Sequence, residues 1–375
     1  MRLGVYVHVP FCDRICVYCD FAKEVANDTK KAQYLDALEE EMAYYQDFFK
    51  HARTLYVGGG TPTALPYPLL ERLLQHLSSR LPMDALEEFT IEANPNDVTQ
   101  EIAQLFKRYG VNRVSLGVQT FANHHLNFLN RTHQAQDVKL AVQILRDAGI
   151  NNLNLDMMFA LPNQTLTELK DDLEQLTQFD VNHVSYYSLI LEEKTPLYLK
   201  VAQGEVLMPD EQEEGLYFQT VIETLKAAGY EHYEISNFAK PSAQSKHNRI
   251  YWENHPYVGL GPSAHGRLGN TRYGNVRSIK KYITSVQSVG HAQAEQYAFN
   301  DVEDTLLMGL RLREGVHVQT LEARIGGSLY ERYPKLTTFV EQGLLKEENG
   351  HLSFTDQGLF LGNVVFSEFI GDGDD

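Results

Sequence analysis

The sequence predicts an α/β protein built on a partial, TIM-like (β/α)6 barrel, with a C-terminal helical, winged-helix-like domain. Two observations carry this prediction. Up to about residue 240, short β-branched runs alternate with amphipathic stretches, which is typical of βαβ units in a parallel sheet. From about residue 281, short helical stretches instead lead into one hairpin. A chain of 375 residues is long enough for about two domains.

The first part of the chain contains six clear strands and a weaker seventh. Strands are predicted at 3–9, 54–57, 88–92, 113–117, 152–157 and 183–189, with the weaker one at 232–235. Helices are predicted near 31–50, 67–80, 98–109, 135–148, 166–178 and 210–228. Gly110, Gly149 and Gly229 follow helical stretches, where glycine tolerates the left-handed cap conformation. A parallel barrel carries its chemistry at the carboxyl ends of its strands.

Three segments are predicted: the barrel at 1–240, a connecting segment at 241–280, and a C-terminal module at 281–375. The connecting segment is rich in Gly, Asn, Tyr and Arg and contains HNRIYW and GLGPSAHG. Helices near 277–287, 301–313, 317–325 and 328–344 precede the hairpin LLKEENGHLSFT. The module lacks a basic stripe, so we expect it to pack on the barrel or contact a protein rather than DNA. The acidic tail at 371–375 is expected to fray.

Composition limits the classes of partner. Lys and Arg total 33 against 50 acids, which gives a net charge of −17. This balance argues against nucleic-acid binding and against attachment to an anionic membrane, since both require a basic surface. The sequence has no apolar run long enough to cross a bilayer, and its start does not look like a signal peptide. We therefore expect a soluble cytoplasmic protein.

The three cysteines of the chain, Cys12, Cys16 and Cys19, form a C-x3-C-x2-C cluster directly after the first predicted strand. An odd count of thiols in a cytoplasmic chain does not fit disulfides, and no C-x-x-C-H run exists for haem attachment. Zinc would need a fourth ligand from a distant residue. Three thiolates fit better a [4Fe–4S] cluster in which one iron has no protein ligand and is open to a small molecule.

This motif, with Tyr18 just before the last cysteine, resembles the radical S-adenosylmethionine (SAM) superfamily. The resemblance implies that the open iron is chelated by the methionine part of SAM. It also implies that the segment Gly58–Pro62 (GGGTP), including Gly59, Gly60 and Thr61, takes the place of a GGE-like motif whose backbone carbonyls accept from the SAM amino group. Taken alone, a glycine triplet would indicate only a turn.

Polar residues at the carboxyl ends of later strands are the other expected SAM contacts. Glu92 ends the third predicted strand, where a carboxylate can face ribose hydroxyls or an ammonium group. The resemblance assigns Gln119, Arg131 and Asp156 to the surroundings of the SAM carboxylate, ribose or adenine. Tyr6 and Tyr18 flank the cysteines and are expected to stack on adenine or shield the cluster, although core aromatics need no such role.

Further motifs extend the resemblance over nearly the whole chain, towards the branch that contains the oxygen-independent coproporphyrinogen III oxidase. These motifs are YVGGGTPT, FTIEANP, SLGVQTF, HNRIYW and GLGPSAHG. The oxidase has a fourth cysteine, whereas this chain has Phe21 at the corresponding position. The oxidase also has a long N-terminal extension before its motif, whereas only eleven residues precede Cys12 here. HNRIYW is instead similar to the HNxxYW motif of the HemW class. The resemblance thus implies a haem chaperone rather than an oxidative decarboxylase of haem biosynthesis.

That class implies haem as cargo and acceptor haemoproteins as partners, among them membrane-associated respiratory enzymes. His247 is the candidate axial ligand, with Tyr251 and Trp252 as flat surfaces for a porphyrin. Arg249 and Arg267 are candidates for pairing with propionates. The alternative is that His247 and Asn248 only hydrogen-bond a loop across the barrel mouth. A radical RNA-modifying enzyme is a third hypothesis, which the charge of −17 opposes.

Two further groups are interpreted as ordinary surface features. The His124–His125 pair is expected in a loop without a third ligand nearby in sequence. Glu39, Glu40 and Glu41 are expected to face solvent on a long helix.

Overall fold

Apolar residues alternate with polar ones along the central strands, because one face of the sheet packs on helices and the other lines the interior of the barrel. The computed structural model describes residues 2–369. Six parallel strands lie side by side in chain order. They are β1 (Leu3–Val9), β2 (Ala52–Gly59), β3 (Glu88–Ala93), β4 (Arg113–Gln119), β5 (Asn152–Phe159) and β6 (His183–Ser188). The six predicted barrel strands are therefore confirmed, and their carboxyl ends meet at one edge.

Helices connect these strands and bury their apolar stripes on the sheet. They are α1 (Asp28–Tyr44), α2 (Gln46–Phe49), α3 (Tyr67–Arg80), α4 (Gln100–Arg108), α5 (Asn123–Phe128), α6 (Ala135–Asp147), α7 (Leu166–Thr177), α8 (Pro196–Ala202) and α9 (Glu211–Ala227). Each of the six predicted helical stretches contains one of these helices. Side-chain caps fix several starts: Thr165 and Asp210 form capping boxes with Glu168 and Glu213.

The predicted seventh barrel strand at 232–235 is wrong. β7 (Glu231–His232) and β8 (Asn237–Ala239) instead form an antiparallel pair at the edge beside β6. The further parallel strand is β9 (Tyr257–Leu260), which pairs with β1 on the other side. Glycine is required in this strand, because a Cβ on Gly259 would lie only 1.9 Å from the His265 carbonyl oxygen. Since glycine is uncommon inside strands, the sequence pattern did not indicate one here.

Three antiparallel strands extend the sheet beyond β9. They are β10 (His265–Leu268), β11 (Thr271–Asn275) and β12 (Gln293–Ala298). Two helices accompany this region: α10 (Lys246–Trp252) and α11 (Ile279–Val289). Strands from both sides of residues 240 and 280 thus belong to the same sheet. The domain boundaries at these two positions remain predictions.

The C-terminal part has its own small core, formed by apolar residues that include Leu306, Leu321, Leu336, Leu352 and Val365. The predicted helices and hairpin are present, and a short third strand joins the hairpin. The elements are α12 (Asp301–Gly309), β13 (Val316–His317), α13 (Val318–Ile325), α14 (Leu329–Arg332), α15 (Lys335–Glu341), β14 (Leu345–Glu348), β15 (His351–Phe354), α16 (Asp356–Phe360) and α17 (Gly362–Phe366). The tail at 371–375 lies outside the described residues. Between residues 2 and 369, no helix combines the length and apolar character needed to cross a membrane.

Glu41 corrects the prediction that Glu39 to Glu41 form a solvated face. Glu40 is exposed and Glu39 pairs with Arg72 at 2.7 Å, but the Glu41 side chain is 0% exposed. Its carboxylate accepts from the Gly261 amide at 2.8 Å, the Asn275 side chain at 2.8 Å and the Tyr282 hydroxyl at 2.7 Å. Glu41 therefore ties α1 to the loop after β9, to β11 and to α11.

Burial raises the pKa of Glu41 from its ordinary value of 4.5 to about 7, against the lowering effect of its hydrogen bonds. The folded chain therefore binds this proton more tightly than the unfolded chain. The contribution of Glu41 to the free energy of unfolding should fall by about 3 kcal/mol as pH rises from about 4.5 to about 7.

Replacing this carboxyl by an amide should remove that pH dependence. We expect the Glu41→Gln variant to lose a pH-dependent part of its stability profile between pH 5 and pH 7.5, measured by urea unfolding. The matched control is Glu40→Gln on the exposed side of the same helix, which should keep the wild-type slope. An unchanged slope in Glu41→Gln would contradict the raised pKa.

Candidate functional site

A cleft of about 360 Å³ opens at the carboxyl ends of the six parallel strands. Every one of these strands, or the loop that follows it, contributes to its lining. The predicted residues that line it are Cys12, Cys16, Tyr18, Cys19, Gly59, Gly60, Thr61, Glu92, Gln119, Arg131 and Asp156. The fold thus brings together all of the predicted cluster and SAM residues except Tyr6.

The cysteine loop folds back on itself after β1, and all three thiols are partly exposed on the cleft side. The Cys19 amide donates to the Cys16 carbonyl at 3.4 Å, and the Thr61 hydroxyl lies 3.7 Å from the Cys12 sulfur. Burial raises the pKa of the Cys12 thiol to about 11 and also raises that of Cys19. Thiolates at this depth need a positive partner, and a metal centre provides one. The donor set therefore fits an iron–sulfur cluster.

The GGGTP segment packs directly against the cysteine loop. The Gly60 amide donates to the Val9 carbonyl at 2.8 Å, and the Thr61 amide donates to the Phe11 carbonyl at 2.7 Å. A Cβ on Gly60 would lie 2.6 Å from the Phe11 carbonyl oxygen, so only glycine permits this approach. Gly59 has a φ of 113°, in the region that favours glycine. The glycines therefore set the distance between the GGGTP segment and the cysteine loop, independently of any bound ligand.

Glu92 projects from the end of β3 with its carboxylate held on both sides. It accepts from the Tyr56 hydroxyl at 2.7 Å and from the Gly59 amide at 3.1 Å. Burial raises the pKa of Glu92 to about 7, with a smaller contribution from the nearby Asp156 carboxylate. Burial also raises the pKa of Asp156. Two partly buried carboxylates in one cleft favour a ligand that carries positive charge or hydroxyl donors.

Arg131 joins the cysteine loop to the strand ends. One guanidinium nitrogen donates to the Asn94 side chain and to the Gly117 carbonyl, both at 2.7 Å. The other lies 3.6 Å from the Cys16 sulfur, and Nε is buried without a hydrogen-bond partner among the described residues. The absence of a side chain at Gly117 makes room, since a Cβ there would be 3.0 Å from the guanidinium. A fixed positive charge beside three thiolates fits an anionic cluster.

Gln119 lies at a register shift at the end of β4, with a φ of 69°. This left-handed conformation costs energy for a residue other than glycine and is concentrated at functional sites. The side chain has no hydrogen-bond partner within residues 2–369. It therefore offers a free amide to whatever enters the cleft.

Tyr18 lines the cleft, but Tyr6 does not. The Tyr6 hydroxyl instead lies 3.0 Å from His8 Nδ1, and its ring packs 6.1 Å from that of Tyr56. The structure also adds residues that sequence reasoning missed. These are Tyr56, Asn94, Ser115, Met158 and Tyr187. Tyr56, Ser115 and Tyr187 lie in strands already assigned to the barrel, and this was the available signal, because alternate residues of a barrel strand point inward. Asn94 and Met158 lie beyond the predicted ends of their strands.

His247 lies at the opposite end of the barrel from the cysteines. It is 1% exposed on α10, next to the starts of β1 and β2. Both ring nitrogens are engaged, Nδ1 with the Thr54 hydroxyl and Nε2 with the Tyr251 hydroxyl, each at 2.8 Å. Burial lowers the pKa of His247 to about 3, so the ring is neutral. In this arrangement neither nitrogen is free for iron, and the motif closes the bottom of the barrel rather than its mouth.

The other candidate haem contacts are also engaged in packing. Arg249 pairs with Glu253 and Glu314, each at 2.6 Å. Arg267 lies over the Phe299 ring at 4.0 Å from its centre, and Arg311 lies over the Trp252 ring at 4.6 Å. The contacts of Arg249 with Glu314 and of Trp252 with Arg311 fix α10 against the C-terminal part of the chain. They do not gather the predicted residues around one pocket.

A hydrogen-bonded chain of buried side chains connects the two ends of the barrel. Asp156 accepts from Asn154 at 2.8 Å, and Asn154 contacts His183 Nδ1 at 2.6 Å. His183 Nε2 contacts the Tyr233 hydroxyl at 2.8 Å, which in turn accepts from the Ser245 amide at 3.3 Å. The HNRIYW helix begins at this point. The polar side chains inside the barrel thus form hydrogen bonds with one another from the cleft to the start of α10.

The His124–His125 pair lies on α5, not in a loop, and the fold supplies the third neighbour that the local sequence lacks. Glu168 lies 3.0 Å from His124 and 3.6 Å from His125. The other Glu168 oxygen is used in the capping box of α7, where it accepts from the Thr165 amide at 2.8 Å. This group is apart from the cleft.

Comparison with known proteins identifies the family. The chain is 37% identical to the heme chaperone HemW of Lactococcus lactis, with 98% of this chain and 97% of that protein aligned. It is 37% identical to the heme chaperone HemW of Bacillus subtilis and 33% identical to that of Escherichia coli, each over nearly all of both chains. The chain belongs to the HemW family. A radical SAM superfamily model matches residues 6–176, and a HemN C-terminal domain model matches residues 300–361.

The fold of this HemW family member has a counterpart among solved structures. It superposes on coproporphyrinogen III oxidase (HemN) from Escherichia coli, a radical SAM enzyme, with a TM-score of 0.84. The superposition covers 98% of this chain and 89% of that one, at 23% identity. The α/β radical SAM fold predicted from the sequence is thereby confirmed, together with the C-terminal helical domain. Membership of the superfamily implies a [4Fe–4S] cluster and SAM.

Gly60→Ala tests the contact between the GGGTP segment and the cysteine loop. The added methyl would lie 2.6 Å from the Phe11 carbonyl oxygen, so the cysteine loop must shift. We expect at least about half of the iron to be lost after anaerobic reconstitution, because cluster binding requires fixed thiol positions. The measurement is iron content per chain. In the matched control Gly327→Ala the new methyl meets nothing within 4 Å, and full loading is expected. Equal loading of both variants would refute the contact.

Proposed function

We propose that this chain is a haem chaperone that binds haem and transfers it to acceptor haemoproteins, such as those of the respiratory chain. Relatives named heme chaperone HemW align with nearly all of it. The observation that carries the proposal is the combination of three cysteines at the cleft with Phe21 at the cleft edge. The oxidase has a fourth cysteine at this position, and its replacement by Phe21 favours the chaperone over the decarboxylase.

We further propose that Cys12, Cys16 and Cys19 bind three irons of a [4Fe–4S] cluster, leaving the fourth for SAM. The partial burial of the Cys12 thiol, which raises its pKa, and the Arg131 guanidinium beside Cys16 support this assignment. When bound, the cluster supplies one-electron chemistry to SAM. The same arrangement also suits a regulatory role, in which the SAM-ligated cluster gates haem transfer.

The chain's own residues contribute binding and orientation to the SAM site. Tyr56 and the Gly59 amide hold the Glu92 carboxylate towards the cleft. Ser115 donates to Asp156 at 2.7 Å and keeps that second carboxylate in place. Gln119 supplies a free amide. We assign the two carboxylates to the ammonium group and ribose hydroxyls of SAM, since both are donors that stabilise a buried negative charge.

One paired experiment tests the function. The anaerobically reconstituted chain is titrated with haem while its Soret band is followed, and the haem-loaded chain is then mixed with an apo-haemoprotein. In parallel, the chain is incubated with coproporphyrinogen, SAM and a reductant.

We expect saturable haem binding, transfer to the apo-haemoprotein, and no decarboxylated product. Cys16→Ala serves as the comparison, because it removes a cluster ligand and should abolish the cluster absorbance. Turnover of coproporphyrinogen to product, or no haem binding by the wild-type chain, would overturn the chaperone proposal.

A further inference from the structure

A second groove opens beside the cleft and is continuous with it. Its volume is about 580 Å³, and it shares Ile15, Cys19, Phe21 and Lys23 with the cleft lining. The remaining walls come from the starts of α8 and α11 and from the segment after the cysteines. A molecule in the groove would therefore touch the outer side of the cysteine loop.

The groove is basic in a chain whose net charge is −17. Five cationic side chains line it against two carboxylates, Asp20 and Glu24. The cationic residues are Lys23, Lys30, Lys194, Arg277 and Lys280. Arg277 pairs with Asp20 at 2.9 Å and Lys30 pairs with Glu24. Lys194 and Lys280 are exposed and have no ion pair in the described part of the chain, so their charge is available to a ligand.

The start of α11 adds to this positive potential. Ser278, Ile279 and Lys280 line the groove, and the Ser278 hydroxyl caps only the Lys281 amide, at 3.4 Å. The amino end of an eleven-residue helix carries partial positive charge and favours anions. Two unpaired lysines and this helix start act in the same direction.

An apolar surface borders the charges. Phe21 is 67% exposed and Ile15 is 40% exposed, and both lie where groove and cleft meet. An exposed aromatic ring next to unpaired cations matches a flat apolar ligand that carries carboxylates. A simple inorganic anion would use the cations but gain nothing from Phe21.

We propose that this groove is the haem site, with the propionates paired to Lys194 and Lys280 and a porphyrin face on Phe21 and Ile15. The inference rests on the proposed function and gives the cargo a location beside the cysteine loop. It also replaces the bottom of the barrel as the haem site, since both His247 nitrogens are used there. Haem in the groove would lie next to Cys19, where the state of the cluster can affect its release.

The double variant Lys194→Gln/Lys280→Gln tests the site. Both residues are exposed, and glutamine is a polar side chain that removes the charge without adding bulk, so folding should be unaffected. We expect haem to bind about 2- to 30-fold more weakly, the range for losing two exposed ion pairs. Phe21→Ser should weaken binding independently of salt, because it removes apolar contact. The measurement is the Soret titration at two salt concentrations.

The matched control is Lys139→Gln/Lys170→Gln, which makes the same charge change on α6 and α7, away from both cavities. Its haem affinity should equal that of the wild type. Wild-type affinity in the groove variant, or equal weakening in the control, would overturn the groove as the site while leaving haem binding intact. Failure of the wild-type chain itself to bind haem would instead refute the proposed function.

Discussion

The parallel alignment of six strands is the constraint on which the rest of the structure depends. Parallel strands of one sheet end at the same edge, so side chains that follow different strands meet there. Cys12, Glu92 and Asp156 are distant in sequence but line the same cleft for this reason. The cleft is then refined by close backbone contacts, such as that of Gly60 with Phe11, which only a glycine allows.

The HNRIYW helix closes the opposite end of the barrel, at the amino ends of the strands. β1 extends roughly 20 Å from start to end, which separates the HNRIYW helix from the cysteine loop. Glu88, at the start of β3, accepts from the Lys246 and His247 amides at 2.8 and 3.1 Å and so caps this helix. The buried chain from Asp156 through His183 to Tyr233 connects that helix to the cleft. The motif thus covers the amino ends of the strands and provides hydrogen-bond partners for the polar side chains inside the barrel.

Much of the fold and site could be predicted because local signals were strong. The six strands, their helices and the C-X3-C-X2-C loop follow from periodicity and spacing, and barrel geometry then places Glu92 and Asp156 together. The failures have long-range causes. Gly259 hides a strand because His265 packs against it, and Glu41 is buried by partners over two hundred residues away. His247 looked like a free ligand because its partner Thr54 comes from a distant strand.

The central proposal for this site is a cluster whose open iron binds SAM within the cleft. Electron paramagnetic resonance of the reduced, reconstituted chain before and after addition of SAM tests this directly. We expect a signal from a reduced [4Fe–4S] cluster whose shape changes on addition of SAM, and the change should be lost in Asp156→Asn. A signal that SAM leaves unchanged, or the absence of any cluster signal, would contradict this proposal.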